Sequence, residues 1–342
     1  VPTRFNLNAR EADGDWLDGR ALVDGEAPRL RTTVTVEHPK AILTRNSSPD
    51  IPFDRSINPY RGCEHGCIYC YARPSHAFHD LSPGLDFESR LFAKPNAAVL
   101  LRTELGRRRY VAAPIALGTN TDPYQPIERD WRITRSILEV LAECDHPLTI
   151  TTKSDRVLAD LDILGGMAAK GLVAVAISVT SLDPETHRRL EPRAPAPHKR
   201  IAAIRALAAA GVPTHCNVAP VIPAITDHEV ETILAAAAEA GALSAHYIPV
   251  RLPHEVAPLF REWLSVHYPD RAGKVMAIIQ SLRGGRDNDP NFGSRMRGQG
   301  AWADLLRTRF GISCRKLGLN QQKMTLRSDL FVPPQGAQMR LL

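Results

Sequence analysis

Residues 58–70 read Asn58-Pro59-Tyr60-Arg61-Gly62-Cys63-Glu64-His65-Gly66-Cys67-Ile68-Tyr69-Cys70. Three of the chain's six cysteines fall here, spaced C-x₃-C-x₂-C, while Cys144, Cys216 and Cys314 lie far from them and from each other. A disulfide scaffold would spread even pairs over a shorter chain. Three thiolates on one loop instead hold three irons of a cubane cluster and leave the fourth iron open to a substrate or cofactor. Zinc in a Cys₃His site is the competing reading, with His65, His76 or His79 as fourth ligand, although the second ligand pair usual for such sites is missing.

Working outward, Asp54–Asn58 precedes the loop as a short strand, and strand-like and helix-like segments then alternate. The strand candidates are Pro114–Leu117, Leu148–Thr152, Val173–Val179, Thr214–Ala219 and Ala245–Pro249. Helical stretches are expected near Ile68–Phe78, Asp130–Glu143, Arg156–Lys170, Pro197–Ala210 and Asp227–Ala240, the last two stopped by Gly211 and Gly241. Six strands alternating with helices argue for an α/β fold with a parallel sheet and right-handed crossovers. Chemistry then belongs at the C-terminal strand ends, where Thr119-Asn120-Thr121-Asp122, Lys153-Ser154-Asp155 and Ser178 stand.

The 342 residues are 44% apolar and 23% charged, which excludes wholesale disorder and fibrous repeats. Residues 1–50 read as a polar N-terminal arm or cover and 51–250 as the catalytic core. Residues 251–342 form a basic, mainly helical region, with helices expected at Glu255–His267, Arg271–Leu282 and Gly300–Leu317. The whole net charge of +6 falls after Gly284, so nucleic acid is a possible partner. Within that region Arg283, Arg286, Arg295 and Arg297 surround several glycines, which suits an anion clamp or a surface loop equally. No apolar run approaches the ~18 residues of a membrane span, and the first residues lack the layout of a secretory signal. A cytoplasmic protein with no membrane association is expected.

The cysteine loop, with Tyr69 as the aromatic before its last cysteine, resembles the hallmark of the radical S-adenosylmethionine (SAM) superfamily. Asn58–Cys63, Cys70-Tyr71-Ala72-Arg73, Thr119–Tyr124 and Thr151-Thr152-Lys153 are similar to its spore photoproduct lyase-like branch. The resemblance spans about residues 53–250. It implies a partial (β/α)₆ TIM-like barrel with a helical C-terminal extension, a [4Fe–4S] cluster on Cys63, Cys67 and Cys70, and SAM on the unique iron. Injection of an electron would cleave SAM to methionine and a 5′-deoxyadenosyl radical, so a reducing flavodoxin- or ferredoxin-like donor is implied. By the same resemblance Tyr69 lies at the cofactor site and Thr119, Asn120, Thr121 and Asp122 lie against the SAM amino group. Lys153 or Arg193 would meet its carboxylate, Ser178 and Asn217 its ribose or methionine end, and Ile222 its adenine.

One departure stands out. Spore photoproduct lyases carry a hydrogen-donating cysteine in the segment that here reads Thr119-Asn120-Thr121-Asp122, so that thiol is absent. Either the donor has moved, with Cys314 or Tyr60 as candidates, or spore photoproduct is not the substrate, which is the reading favoured. Substrate groups are open among His215, His246, His254 and Tyr247. A nucleic-acid lesion or nucleotide is the first expectation for a lyase- or transferase-like reaction. Modification of a peptide or small metabolite is the same-chemistry alternative, and a zinc-binding nucleic-acid module the alternative of another class.

Overall fold

A computed structural model of the chain describes residues 31–334; most of the expected N-terminal arm lies outside them. Six strands are mutually parallel in sequence order: β3 (Arg55–Ile57), β6 (Ile115–Leu117), β7 (Leu148–Thr152), β8 (Val173–Ser178), β9 (Thr214–Val221) and β10 (Ser244–Pro249). The short β2 (Thr44–Arg45) adds antiparallel to β3, so the seven-stranded order runs β10-β9-β8-β7-β6-β3-β2. These are the six strands expected from the alternation. The sheet is an open, TIM-like arc, and no pairing closes β10 onto β2 among the described residues.

A second sheet was not foreseen. β1 (Thr33–Val36), β4 (Tyr60–Arg61) and β5 (Arg90–Ala93) form it in the order β1-β5-β4, so part of the expected arm is a paired strand. The longer helices between the core strands are α1 (Ala97–Leu105), α2 (Ile133–Glu143), α3 (Leu161–Ala169), α4 (Pro184–Leu190), α5 (Pro197–Ala209) and α6 (Val230–Glu239). Then α7 (Val256–His267), α8 (Pro269–Leu282) and α9 (Ala301–Lys316) form the helical extension.

The strand register sorts the sheet into two unlike faces. Residues paired across parallel strands point the same way, and neighbours along a strand point oppositely. One face carries Ile57, Leu117, Ile150 and Val175, all fully buried, and continues through Ile177 and Cys216 into the main core. The other carries Ser56, Ala116, Thr149 and Ala174 in one row, then Thr151, Ala176, His215 and Ser244, then Ser178, Asn217 and His246. Its residues in β7 and β9 are only partly buried, whereas those of the opposite face are buried. Small and polar side chains thus leave an accessible concave surface.

The expected helix Ile68–Phe78 is not an α-helix. Residues 68–72 are turns and Arg73–His79 is a 3₁₀ helix with Pro74 in its first turn. The pairing is tighter than an α-helix's: the amides of Cys70 and Arg73 reach back three residues, to the carbonyls of Cys67 and Cys70 (both 3.2 Å), and the Arg73 side chain also takes the carbonyls of Gly66 and Cys67.

Candidate active site

The cysteine loop is sewn to the C-terminal end of the sheet by side chains that replace regular pairing. Asn58, just after β3, accepts from the amide of Asn120 (3.0 Å) and donates to the Thr119 hydroxyl (3.3 Å). Gln125 accepts from the Glu64 amide (3.0 Å) and donates to the Gly62 carbonyl (3.1 Å). The Thr121 hydroxyl donates to the Tyr60 carbonyl at 3.0 Å. Beneath the loop, Arg73 donates to the carbonyls of Cys67 (3.0 Å) and Gly66 (3.2 Å) and pairs with the fully buried Glu88. Glu88 also pairs with Arg193, whose Nε donates to the Glu64 carbonyl at 2.7 Å. Gly66, at φ +68°, sits against this Arg–Glu–Arg triad, and any Cβ there would run into the Arg193 guanidinium.

Cys63 and Cys67 are 8% exposed and Cys70 is half-buried. Burial pushes all three thiols up, Cys67 to about 12, and the Asp122 carboxylate followed by the other two cysteines raises Cys63 further. Three such thiols together stay protonated unless a strong cation holds them, the chemistry of an iron–sulfur ligand set. The donor set therefore fits a cubane cluster. Zinc fits less well. Among the described residues no group of His, Cys, Asp or Glu converges as the ligands of a single ion would. His65 faces Asp122 (3.4 Å), with burial holding its imidazole neutral down to about pH 4, and His76 bonds the Arg90 carbonyl at 2.9 Å.

The expected cofactor contacts divide into groups that are free to act and groups already engaged. Lys153, half-buried at the end of β7, holds its ammonium 5.8 Å over the Tyr69 ring. Burial disfavours that charge, but Cys67 and Glu191 beside it outweigh the penalty and raise the pKa. Ser178 and Asn217 are paired neighbours on the concave face, with His246 next in the row. Asn120 lies at the same mouth with its backbone held by Asn58. By contrast, Asp122 spends both carboxylate oxygens on the protein: Thr152 hydroxyl at 2.6 Å, Tyr124 amide at 2.9 Å and Lys153 amide at 2.7 Å. Thr121 is likewise buried and bonded, and the Thr119 hydroxyl and carbonyl accept from Asn58 and Tyr71. Arg193 is committed to Glu88 and the cysteine loop, so it buttresses the loop and does not face the mouth as a second carboxylate partner. Ile222 is fully buried in an apolar cluster with Cys67, Ile68 and Tyr69.

Both candidate hydrogen donors are misplaced. Cys314 packs in the main core at 4% exposure with Cys216 of the apolar face, and its thiol is raised to about 11 by burial. It stands behind the sheet, away from the concave face, because α9 packs against α6 on that side. Tyr60 is fully buried with its hydroxyl bonded to Glu128. Of the possible substrate groups, His215 and His246 are on the concave face, with His215 bonded to Ser244, while Tyr247 points away and packs on Phe310.

Sequence reasoning missed a fully buried carboxylate of the site. Glu191 accepts from the Tyr69 hydroxyl and from Thr180 (2.6 Å) and is paired with Arg200. Burial works against its charge, yet Arg200, His187 and Lys153 hold it well below the usual carboxylate range. Its neighbour Arg193 drew the eye in the sequence, but the carboxylate is what fixes Tyr69.

This parallel arc with a cysteine loop at its C-terminal mouth defines a radical SAM enzyme. The chain belongs to the Radical SAM superfamily, whose profile matches residues 57–237. An uncharacterized protein from Mycobacterium tuberculosis strain H37Rv is 39% identical over 232 residues, covering 67% of this chain and 68% of the relative. Another from Methanocaldococcus jannaschii is 28% identical over 214 residues, 63% and 76% of the two chains. Among solved structures, spore photoproduct lyase complexed with dinucleoside spore photoproduct superposes with a TM-score of 0.60 at 17% identity, over 84% of this chain and 81% of that one. A doubly substituted form of that lyase with bound AdoMet and the same dinucleoside gives 0.61 at 16% identity, over 84% and 80%. At this identity the likeness is one of fold. Among the described residues no helix is long and apolar enough to cross a membrane.

Proposed function

We propose that Cys63, Cys67 and Cys70 ligate a [4Fe–4S] cluster and that SAM lies between it and the concave face of the sheet. When bound, this pair supplies reductive cleavage of SAM to methionine and a 5′-deoxyadenosyl radical. The chain's own part is placement and shielding. Lys153 offers its ammonium to the SAM carboxylate, and Asn120, Ser178 and Asn217 offer hydrogen bonds along the mouth. The small residues Ala174, Ala176 and Ser178 leave room beneath. The apolar cluster of Ile68, Ile222, Val250 and Leu252 excludes water beside the cysteine loop, which protects a reactive radical. The observation that carries this reading is the juxtaposition of two buried thiols and a half-buried third with a small and polar, partly accessible sheet face.

In this account residues 51–250 are the catalytic core and 251–342 its helical extension. The protein works in a reducing cytoplasm with a flavodoxin- or ferredoxin-like donor. The substrate is a nucleic-acid lesion or nucleotide, supported by the surplus positive charge after Gly284. Likeness of fold to a lyase solved with a dinucleoside photoproduct also supports it. Spore photoproduct itself is not the substrate, since Thr119 leads the segment where those lyases keep their thiol and an alcohol O–H is too strong to replace it. The test is incubation of reduced holoenzyme and 5′-deuterated SAM with damaged DNA, nucleotides, peptides and a metabolite extract. Deuterium entering a nucleic-acid component, or hydrogen from such a component entering 5′-deoxyadenosine, supports the reading; label transfer to or from a peptide or small metabolite alone overturns it.

A further inference from the structure

The loop after β10 and the glycine-rich loop between α8 and α9 meet at the mouth beside the cysteine loop, and their positive charges are not all matched. Arg295 is paired with Asp50 and donates to the Ser48 hydroxyl. Arg283 is buried and gives both Nη groups to carbonyls, those of Arg295 (2.6 Å) and Val250 (3.0 Å) among them, although its Nε has no partner. Two of the four arginines that suggested an anion clamp in the sequence are therefore structural.

Arg251 is different. Its buried Nε, like that of Arg283, has no hydrogen-bond partner, but no carbonyl engages its Nη groups either, and Nη1 meets only the Met296 thioether at 3.3 Å. Among the described residues it makes no ion pair with a carboxylate. Asp50, whose charge it feels, is already taken by Arg295 and by the Gly293 amide at 2.6 Å. Its guanidinium lies 5.7 Å over the ring of Tyr71, the residue after Cys70, and the Tyr71 hydroxyl is tied to the Thr119 carbonyl. An unmatched cation with a buried, idle donor thus sits beside the loop that would carry the cluster. Leaving such a donor unpaired is costly, and an incoming acceptor relieves it. Arg297, on the same loop as Met296, is exposed and also lacks a carboxylate partner among the described residues; its charge reaches His246 at the rim of the concave face.

We propose that Arg251, assisted by Arg297, forms a phosphate-binding subsite at the mouth of the sheet that anchors a phosphate of the substrate. The guanidinium presents Nε–H and Nη–H as a fork, the geometry that takes two phosphate oxygens at once. A phosphate held there leaves the attached sugar and base directed past Tyr71 toward His246, the neighbour in the row of the Ser178 and Asn217 positions that hold SAM. This inference rests on the nucleic-acid reading of the substrate above.

The test is binding of a short single-stranded oligodeoxynucleotide to cluster-loaded protein with SAM present, followed by fluorescence anisotropy across a salt series. Inorganic pyrophosphate is titrated in parallel as a ligand without base or sugar. Arg251→Gln should weaken oligonucleotide binding about tenfold and flatten the logarithmic salt slope by about 0.7, with iron content and melting temperature retained. Arg251→Lys, which keeps the charge without the fork, should fall between. Arg205→Gln, which removes the same charge from the exposed side of α5 behind the sheet, should change neither quantity. Oligonucleotide binding that is indifferent to Arg251 overturns the subsite and leaves the nucleic-acid reading standing. Pyrophosphate binding that needs Arg251, without oligonucleotide binding, upholds the subsite and overturns that reading. Absence of both overturns the two together.

Discussion

The phenol of Tyr69 donates to the carboxylate of Glu191, which is paired on its other side with Arg200. The aromatic residue before the last cysteine of the loop is therefore held from behind the site, by a group 122 positions away. Removing the carboxylate leaves Arg200 as a buried, uncompensated charge. Glu191→Ala should destabilise the fold by about 3–5 kcal/mol. Tyr69→Phe deletes one donor and should cost about 1–3 kcal/mol. Chemical denaturation of the two variants checks the order; equal stabilities would contradict it.

Lys153 and Arg193 both suit a SAM carboxylate by charge, but only Lys153 is uncommitted. Lys153→Met should weaken SAM binding by about tenfold or more with little change in melting temperature. Arg193→Met should instead lower the melting temperature, because Glu88 loses one of its two guanidinium partners. Calorimetric SAM titration alongside thermal melts separates the two roles, and a reversal of the pattern would reassign them.

The difference between these residues shows what could be read in the chain alone. The core strands were legible because their apolar and small residues alternate or run between clear turn signals. The cysteine loop was legible because its ligands are neighbours in sequence. The second sheet was not: β4 has two residues, and β1 finds its partner 57 positions away, Thr33 opposite Arg90. Arg193 was misread for the same reason, since Glu88, 105 positions distant, decides its role. Cys314 lies in a basic helix by sequence, but the α9 face that carries it is the buried one.

His146 is a pH probe remote from the site. It is fully buried, with Nε2 bonded to the Tyr110 hydroxyl (2.8 Å) and Nδ1 to the Pro147 carbonyl (2.9 Å). Burial lowers its pKa from 6.5 to about 4. Because the folded value is depressed, its contribution is fully present above pH 6.5. It is lost as pH falls toward 4, by about 3 kcal/mol in total. Stability measured across that window should fall less steeply in His146→Gln; an unchanged slope would show that His146 does not titrate there.

The buried thiols outside the loop should be dispensable for iron. Cys144→Ala and Cys314→Ala should keep full iron content and differ from wild type only in modest stability loss, as expected for small buried side chains. Neither wild type nor Cys314→Ala should repair authentic spore photoproduct. Efficient wild-type repair that disappears in Cys314→Ala would place that thiol at the reacting centre despite its position behind the sheet.

The central claim is that Cys63, Cys67 and Cys70 support SAM cleavage. Its most direct measurement is 5′-deoxyadenosine formed when anaerobically reconstituted protein is reduced in the presence of SAM. The account predicts a brown protein with about four iron and four sulfide per chain that forms 5′-deoxyadenosine and methionine, both activities lost in each single Cys→Ala variant of the loop. A colourless protein holding one zinc, or product formation that survives Cys67→Ala, would contradict it.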